Sequence, residues 1–290
     1  MQYGKLSDAN PLVKALLLVG LMLVCSILMM LLLVPMTGSD LQSVPSMRMQ
    51  QVMQALGMFV LPTLLGSMLW SPKPRAWLHV DRRPQWGVAG WLLVLIIVAQ
   101  PCINMLAWFN EQLHLPAGLA DWEAWMVRQE TLADDLLRQM MQYDLSACGW
   151  CVNLLVLAAL PAVGEELFFR GALQGLFAER GRPAAAIWVT AVLFSAMHLQ
   201  FMGFIPRLLL GALFGYVLLW TGSLWVPMMM HFVNNAFVVS VTMLSFSADG
   251  QPSWWETIGQ GGTWWFGAVS AVAAGLILWH VRRQLRPKSR

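Results

Sequence analysis

Residues 151–171 read CVNLLVLAALPAVGEELFFRG. An apolar run interrupted only by Asn153 leads straight into two adjacent glutamates and, four positions later, an arginine. The first part has the composition of a membrane-helix interior, and its continuation places Glu165, Glu166 and Arg170 inside that helix. An ionised group at the bilayer centre costs at least ~2.5–3.5 kcal/mol on insertion scales. The stretch therefore decides the fold class and raises the functional question of what the buried charges do.

The rest of the chain agrees with a membrane reading. Of its 290 residues, 58% are hydrophobic and 11% charged, and mean hydropathy is +0.60; a soluble domain carries about 25% charged residues. The expected fold is all-α: a polytopic membrane helical bundle forming a single domain over residues 1–290, with 145–250 as its functional core. Apolar runs long enough to cross a bilayer predict about eight spans, at 11–35, 52–70, 86–109, 147–178, 184–200, 204–220, 224–246 and 263–281. The first of these, with ALLLVGLMLVCSILMMLLLV at its centre, is too long for a cleaved signal and has no A-x-A site, so it reads as an anchor. Between the fifth and sixth, QFMGFIP is either a tight turn or a kink.

Charge supports the count. With the amino terminus in the cytoplasm, eight spans put Lys5, Lys14, Lys73, Arg75, Arg82, Arg83, Arg180, Arg182, Arg282, Arg283, Arg286, Lys288 and Arg290 inside, 13 of the 18 basic residues. Arg48, Arg128, Arg138 and Arg207 fall outside. This satisfies the positive-inside rule, places both termini in the cytoplasm and gives no patch suited to nucleic acid. A bacterial inner membrane suits such short loops. The one long loop, 110–145, holds seven acidic residues against two arginines. Apolar residues at helical spacing within it suggest either an amphipathic helix on the outer interface or a solvated connector. CGWC at 148–151 has C-x-x-C spacing but no second pair, so its cysteines read as small apolar residues.

Polar groups recur in the later spans: Glu165, Glu166 and Arg170, then His198 in FSAMHL, then His231 with Asn234 and Asn235 in MMMHFVNN. A lone membrane histidine or asparagine is most simply helix-to-helix glue, but so many in neighbouring spans point to one cluster. Residues four apart share a helix face, so Glu166 and Arg170 form the natural ion pair. Glu165, turned about 100° away, has no such partner on its own helix and suits a general base. Phe194 shares a face with His198, and His231 shares one with Asn235, whose amide can hold a water or a developing oxyanion. Two histidines and a carboxylate also resemble a catalytic His₂Glu zinc set, so His198, His231 and Glu165 are the ligand candidates for a divalent metal such as Zn²⁺. Metal and glutamate alone both remain open as the means of activating water.

EELFFR, FSAMH and HFVNN resemble, in order and spacing, the EExxxR, FxxxH and HxxxN motifs of the CAAX-protease and bacteriocin-processing family of intramembrane endopeptidases, which includes the type II CAAX prenyl endopeptidases. The resemblance implies endoproteolysis of a membrane-associated peptide or protein, lipidated in the eukaryotic relatives. It implies Glu165 as the catalytic carboxylate, His198 and His231 as its partners or metal ligands, Asn235 as stabiliser of the tetrahedral intermediate, and Glu166 and Arg170 as supporting residues. Two other classes remain. A proton-coupled transporter also buries Glu, His and Arg, but no repeated halves are visible. A non-catalytic peptide-binding or bacteriocin-immunity protein would keep the same site.

Overall fold

The computed structural model describes residues 4–38, 40–247 and 252–285, which contain helices and no strands. Ten helices carry the architecture: α1 (Pro11–Thr37), α2 (Val44–Trp70), α3 (Trp86–Val98), α4 (Gln100–Glu111), α5 (Ala120–Gln142), α6 (Ala147–Ala178), α7 (Pro183–Met197), α8 (Phe204–Thr221), α9 (Trp225–Ser247) and α10 (Trp264–Leu285).

The polytopic helical bundle expected from the sequence is borne out, but not the count of eight spans. Among the described residues six helices are long and apolar enough to cross a membrane, or seven if α3 and α4 count as one span bent by 45°. The bend falls where Pro101 enters the first turn of α4; proline brings no N–H to continue the ladder. The remaining candidate, α7, has only 15 residues, about 22 Å of helix against a hydrocarbon core of about 30 Å. It stops at His198, and the chain reverses with Leu199 at φ 54° before α8 begins. QFMGFIP is therefore a turn, and α7 and α8 pack as a hairpin.

Two helices are widened by π turns. One lies at Leu56–Val60 in α2; two more lie at Leu154–Ala159 and Glu166–Leu173 in α6. The first two end just before Leu61-Pro62 and Leu160-Pro161. A mid-helix proline ring crowds the carbonyl four residues back, and a wider turn ahead of it relieves that clash. The widened stretch of α2 packs against Gly164, between the two widened stretches of α6, where a methyl group would lie 3.3 Å from Phe59 Cβ.

The bundle has two distinct ends. At one, the backbone amides of Gly4 and Leu6 bond the carbonyls of Met68 and Leu69 at 2.9 and 3.0 Å. Lys14 pairs with Glu179 at 3.4 Å. Leu224 N donates to His79 O at 3.0 Å and Ser223 Oγ to Arg82 O at 2.7 Å, while Arg282 lies 4.5 Å over the Trp220 ring. The basic loops grouped by charge thus share one end; Arg286, Lys288 and Arg290 lie outside the described residues. At the other end Asn110, α5 and the 199–203 turn come together.

Candidate active site

The site begins on α6. Glu166 and Arg170 are buried, with side chains 0% and 1% exposed, and pair at 2.8 Å as their spacing predicts. Arg170 Nη2 also donates to Gly211 O on α8 at 3.1 Å. Glycine leaves room for this approach: a methyl group at 211 would lie 3.1 Å from that same nitrogen and 3.3 Å from Ala191 and Phe194. The guanidinium sits over the rings of Phe194 (4.4 Å), Phe214 (5.6 Å) and Phe169 (6.0 Å), so cation–π contacts take the place of water around it.

Glu166 does more than its spacing suggested. Its Oε1 also accepts from His231 Nδ1 on α9 at 2.9 Å. The His231 ring stacks on Phe214 at 5.4 Å and meets Phe194 edge-on at 6.0 Å, which leaves Nε2 pointing to Glu165 Oε2 at 3.8 Å. His198, just past the last turn of α7, is held the same way. Its Nδ1 bonds Phe194 O at 2.8 Å, and its Nε2 lies 4.0 Å from the same glutamate oxygen. Glu165, which lacks a partner on its own helix, is thus faced by both histidines. Each Nδ1 is bonded to an acceptor and so carries the proton. With the proton on Nδ1, each ring turns its Nε2 towards a carboxylate oxygen. Two imidazole acceptors thus approach one carboxylate oxygen, a set that a cation would satisfy in full and a water, with two hydrogens, in part.

The donor types suit a divalent metal, and both rings have the outer hydrogen bond that metal-bound histidines carry. The spacing is wider than a metal requires. Bonds of about 2.0–2.1 Å in a tetrahedron put donors roughly 3.3 Å apart, and as the side chains stand no three His, Cys, Asp or Glu groups among the described residues could hold a metal ion.

Glu165, His198, His231 and Asn235 all line one cavity of about 710 Å³. Asn235 Oδ1 accepts from Asn234 Nδ2 at 3.4 Å, and Gln100 Nε2 donates to Asn234 Oδ1 at 3.2 Å, so the Asn235 amide nitrogen is left to donate inward. Several wall residues were not read from the sequence. Arg207, which charge counting places in an outer loop, lines the cavity and bonds Gln200 O and Oε1 at 2.9 and 3.0 Å. Helix α5 forms another wall through Glu130, Asp134, Leu137, Met140 and Met141, while Trp122, Val127 and Leu132 face outward. It is not a solvated connector. Burial holds the Glu130 and Asp134 carboxyls above the usual range. Glu130 accepts from Met202 N at 3.2 Å. Asn110 clasps the same turn from both sides, bonding Phe201 O and Ile205 N at 2.8 Å each. The cue in the sequence was the acidic residues of 110–145, interleaved with apolar ones at helical spacing.

Fold and site together define a polytopic helical membrane protein with a largely apolar cavity into which Glu, His and Asn from its interior helices are gathered. Residues 147–237, which carry all three motifs, match the family model described as type II CAAX prenyl endopeptidase Rce1-like; over that segment the family resemblance read from the motifs is borne out. The chain is also similar to an uncharacterized protein of Bacillus subtilis (strain 168), YpbD, at 32% identity over 88 residues, 29% of this chain and 42% of that protein. The match thus spans less than half of that relative's length. No solved structure matches.

Proposed function

We propose that this chain is an intramembrane endopeptidase in which Glu165 activates the attacking water. The observation that carries the reading is the approach of two histidine Nε2 atoms, at 3.8 and 4.0 Å, to one Glu165 carboxylate oxygen on the wall of a cavity. A water there gives one hydrogen to Glu165 and the other to an imidazole. Its oxygen attacks the carbonyl carbon of a peptide bond as its proton passes to Glu165. Negative charge develops on the carbonyl oxygen and is met by the Asn235 amide. The C–N bond then breaks, and Glu165 returns the proton to the leaving amine. His231 keeps its orientation through Glu166, which Arg170 holds in turn.

His198, His231 and Glu165 would also be the ligands of a divalent ion such as Zn²⁺, which would supply Lewis acidity at the carbonyl and the water; the bonded Nδ1 atoms suit this second reading, but the three side chains would have to draw closer to bind it. The substrate class is a membrane-associated peptide or protein, and a prenylated CAAX tail is the candidate that the family's name offers. The basic residues gathered at one end of the bundle support cytoplasmic termini in a bacterial inner membrane.

The test is cleavage of a membrane-tethered peptide library by protein in nanodiscs, wild type beside Glu165→Gln, with products read by mass spectrometry. Wild-type cleavage at defined bonds, lost in Glu165→Gln, is the expected result. A wild type that binds peptides of the library without cutting any assigns the chain instead as a peptide-binding or bacteriocin-immunity protein.

A further inference from the structure

The cavity wall beside α6 is built by α2, and it carries polar side chains that the proposed chemistry does not use. Gln50, Gln51 and Gln54 of α2 line the cavity, Gln51 half-buried and Gln54 exposed, so their amides are open to whatever occupies it. Gln50 Nε2 donates to Leu41 O at 2.8 Å. Gln51 and Gln54 have no hydrogen-bond partner among the described residues.

Their level is set by the contact between α2 and α6. A methyl group at Gly164 would lie 3.6 Å from Ala55 O and 3.3 Å from Phe59 Cβ, so Glu165 stands beside the Ala55–Phe59 turn. Gln54 immediately precedes that turn. Gln51 lies three residues further towards the α5 end, about 4.5 Å along the axis. An extended peptide advances about 3.3 Å per residue, so the two amides cover the first one or two residues beside a bond held at Glu165.

We infer that Gln51 and Gln54 bind the main chain of an extended substrate peptide flanking the scissile bond. A side-chain amide carries both a donor and an acceptor, and so does each peptide unit. A neutral amide wall reads no charge, whereas an anionic headgroup would call for Arg or Lys. Arg207 lines the same cavity, but it is bonded to Gln200 and interacts with the Glu130 and Asp134 carboxyls, so its charge is already engaged. The subsite therefore binds peptide with tolerance of side-chain identity. What it serves rests on the hydrolase reading; whether it binds peptide does not.

The experiment uses Glu165→Gln protein in detergent, in which cleavage is blocked, titrated against a pool of dye-labelled decapeptides and read by fluorescence anisotropy. Adding Gln51→Leu and Gln54→Leu is expected to weaken binding on the order of tenfold, the loss of two neutral hydrogen bonds. Leucine is favoured in membrane helices, and an unchanged Tm confirms the fold. A second pool, N-methylated at alternate main-chain nitrogens, is expected to bind the Glu165→Gln protein more weakly and to suffer no further loss in the leucine variants. An unchanged Kd in the leucine variants, an N-methylation penalty that persists in them, or no binding of either pool overturns the inference. If the binding pattern holds while the wild type cuts nothing, the subsite stands and the hydrolase reading falls. If the wild type cuts peptides and the pattern is missing, only the subsite falls.

Discussion

Arg170→Ala is expected to destabilise the fold by about 3–5 kcal/mol, the cost of breaking a buried ion pair from one side. The guanidinium has no substitute. Its removal strips the 2.8 Å bond from Glu166 Oε1 and the 3.1 Å bond from Gly211 O, and it vacates the space between Phe194, Phe214 and Phe169. Glu166 Oε2 already lacks a hydrogen-bond partner, so the carboxylate would keep only His231. The assay is unfolding by SDS in mixed micelles, followed by far-ultraviolet circular dichroism. Glu166→Leu combined with Arg170→Met removes both charges and is expected to recover stability to within about 1 kcal/mol of wild type. That double variant should still be inactive, because His231 Nδ1 has lost the carboxylate that orients it. A cost below about 1 kcal/mol for Arg170→Ala would refute the reasoning, since it would mean that the pair is hydrated rather than buried.

Asn110→Ala removes both bonds that clasp the turn after His198, and it should lower kcat several-fold at unchanged KM, as steady-state kinetics on a cleaved peptide would show. Glutamate-activated water predicts cleavage that survives dialysis against 1,10-phenanthroline; activity lost and then restored by Zn²⁺ would assign His198, His231 and Glu165 as metal ligands. Burial raises the Glu130 and Asp134 carboxyls above their unfolded values, so the folded state holds more protons than the unfolded one between those values. Docking of α5 should therefore tighten as pH falls from neutrality through the raised folded pKa values towards the ordinary carboxylate range. Hydrogen exchange of α5 amides, corrected for intrinsic rate, should show this protection, and Glu130→Gln should flatten the response.

Much of this was legible in the sequence because it depends on helical periodicity and on the cost of burying charge. The run ending in GEELFFRG could only be a helix interior, and the four-residue spacing of Glu166 and Arg170 named their ion pair. The same spacing put Phe194 under His198. The span count was less secure. A 15-residue helix and a proline-bent pair carry as much apolar character as full crossings, and composition does not record where a chain turns back.

Periodicity tells which residues share a face, but not what that face meets. That Glu166 serves His231 as well as Arg170, that both histidines turn to Glu165, and that Arg207 and the α5 acids line the cavity depends on contacts between helices far apart in sequence. The α5 helix shows why: its acidic and apolar faces fit a solvated connector as well as a cavity wall, and only packing against the bundle selects one. The sequence by itself determined a helical membrane protein with catalytic-type side chains in its interior helices. The tertiary structure decided their convergence, because helix-to-helix docking sets distances that no local pattern encodes.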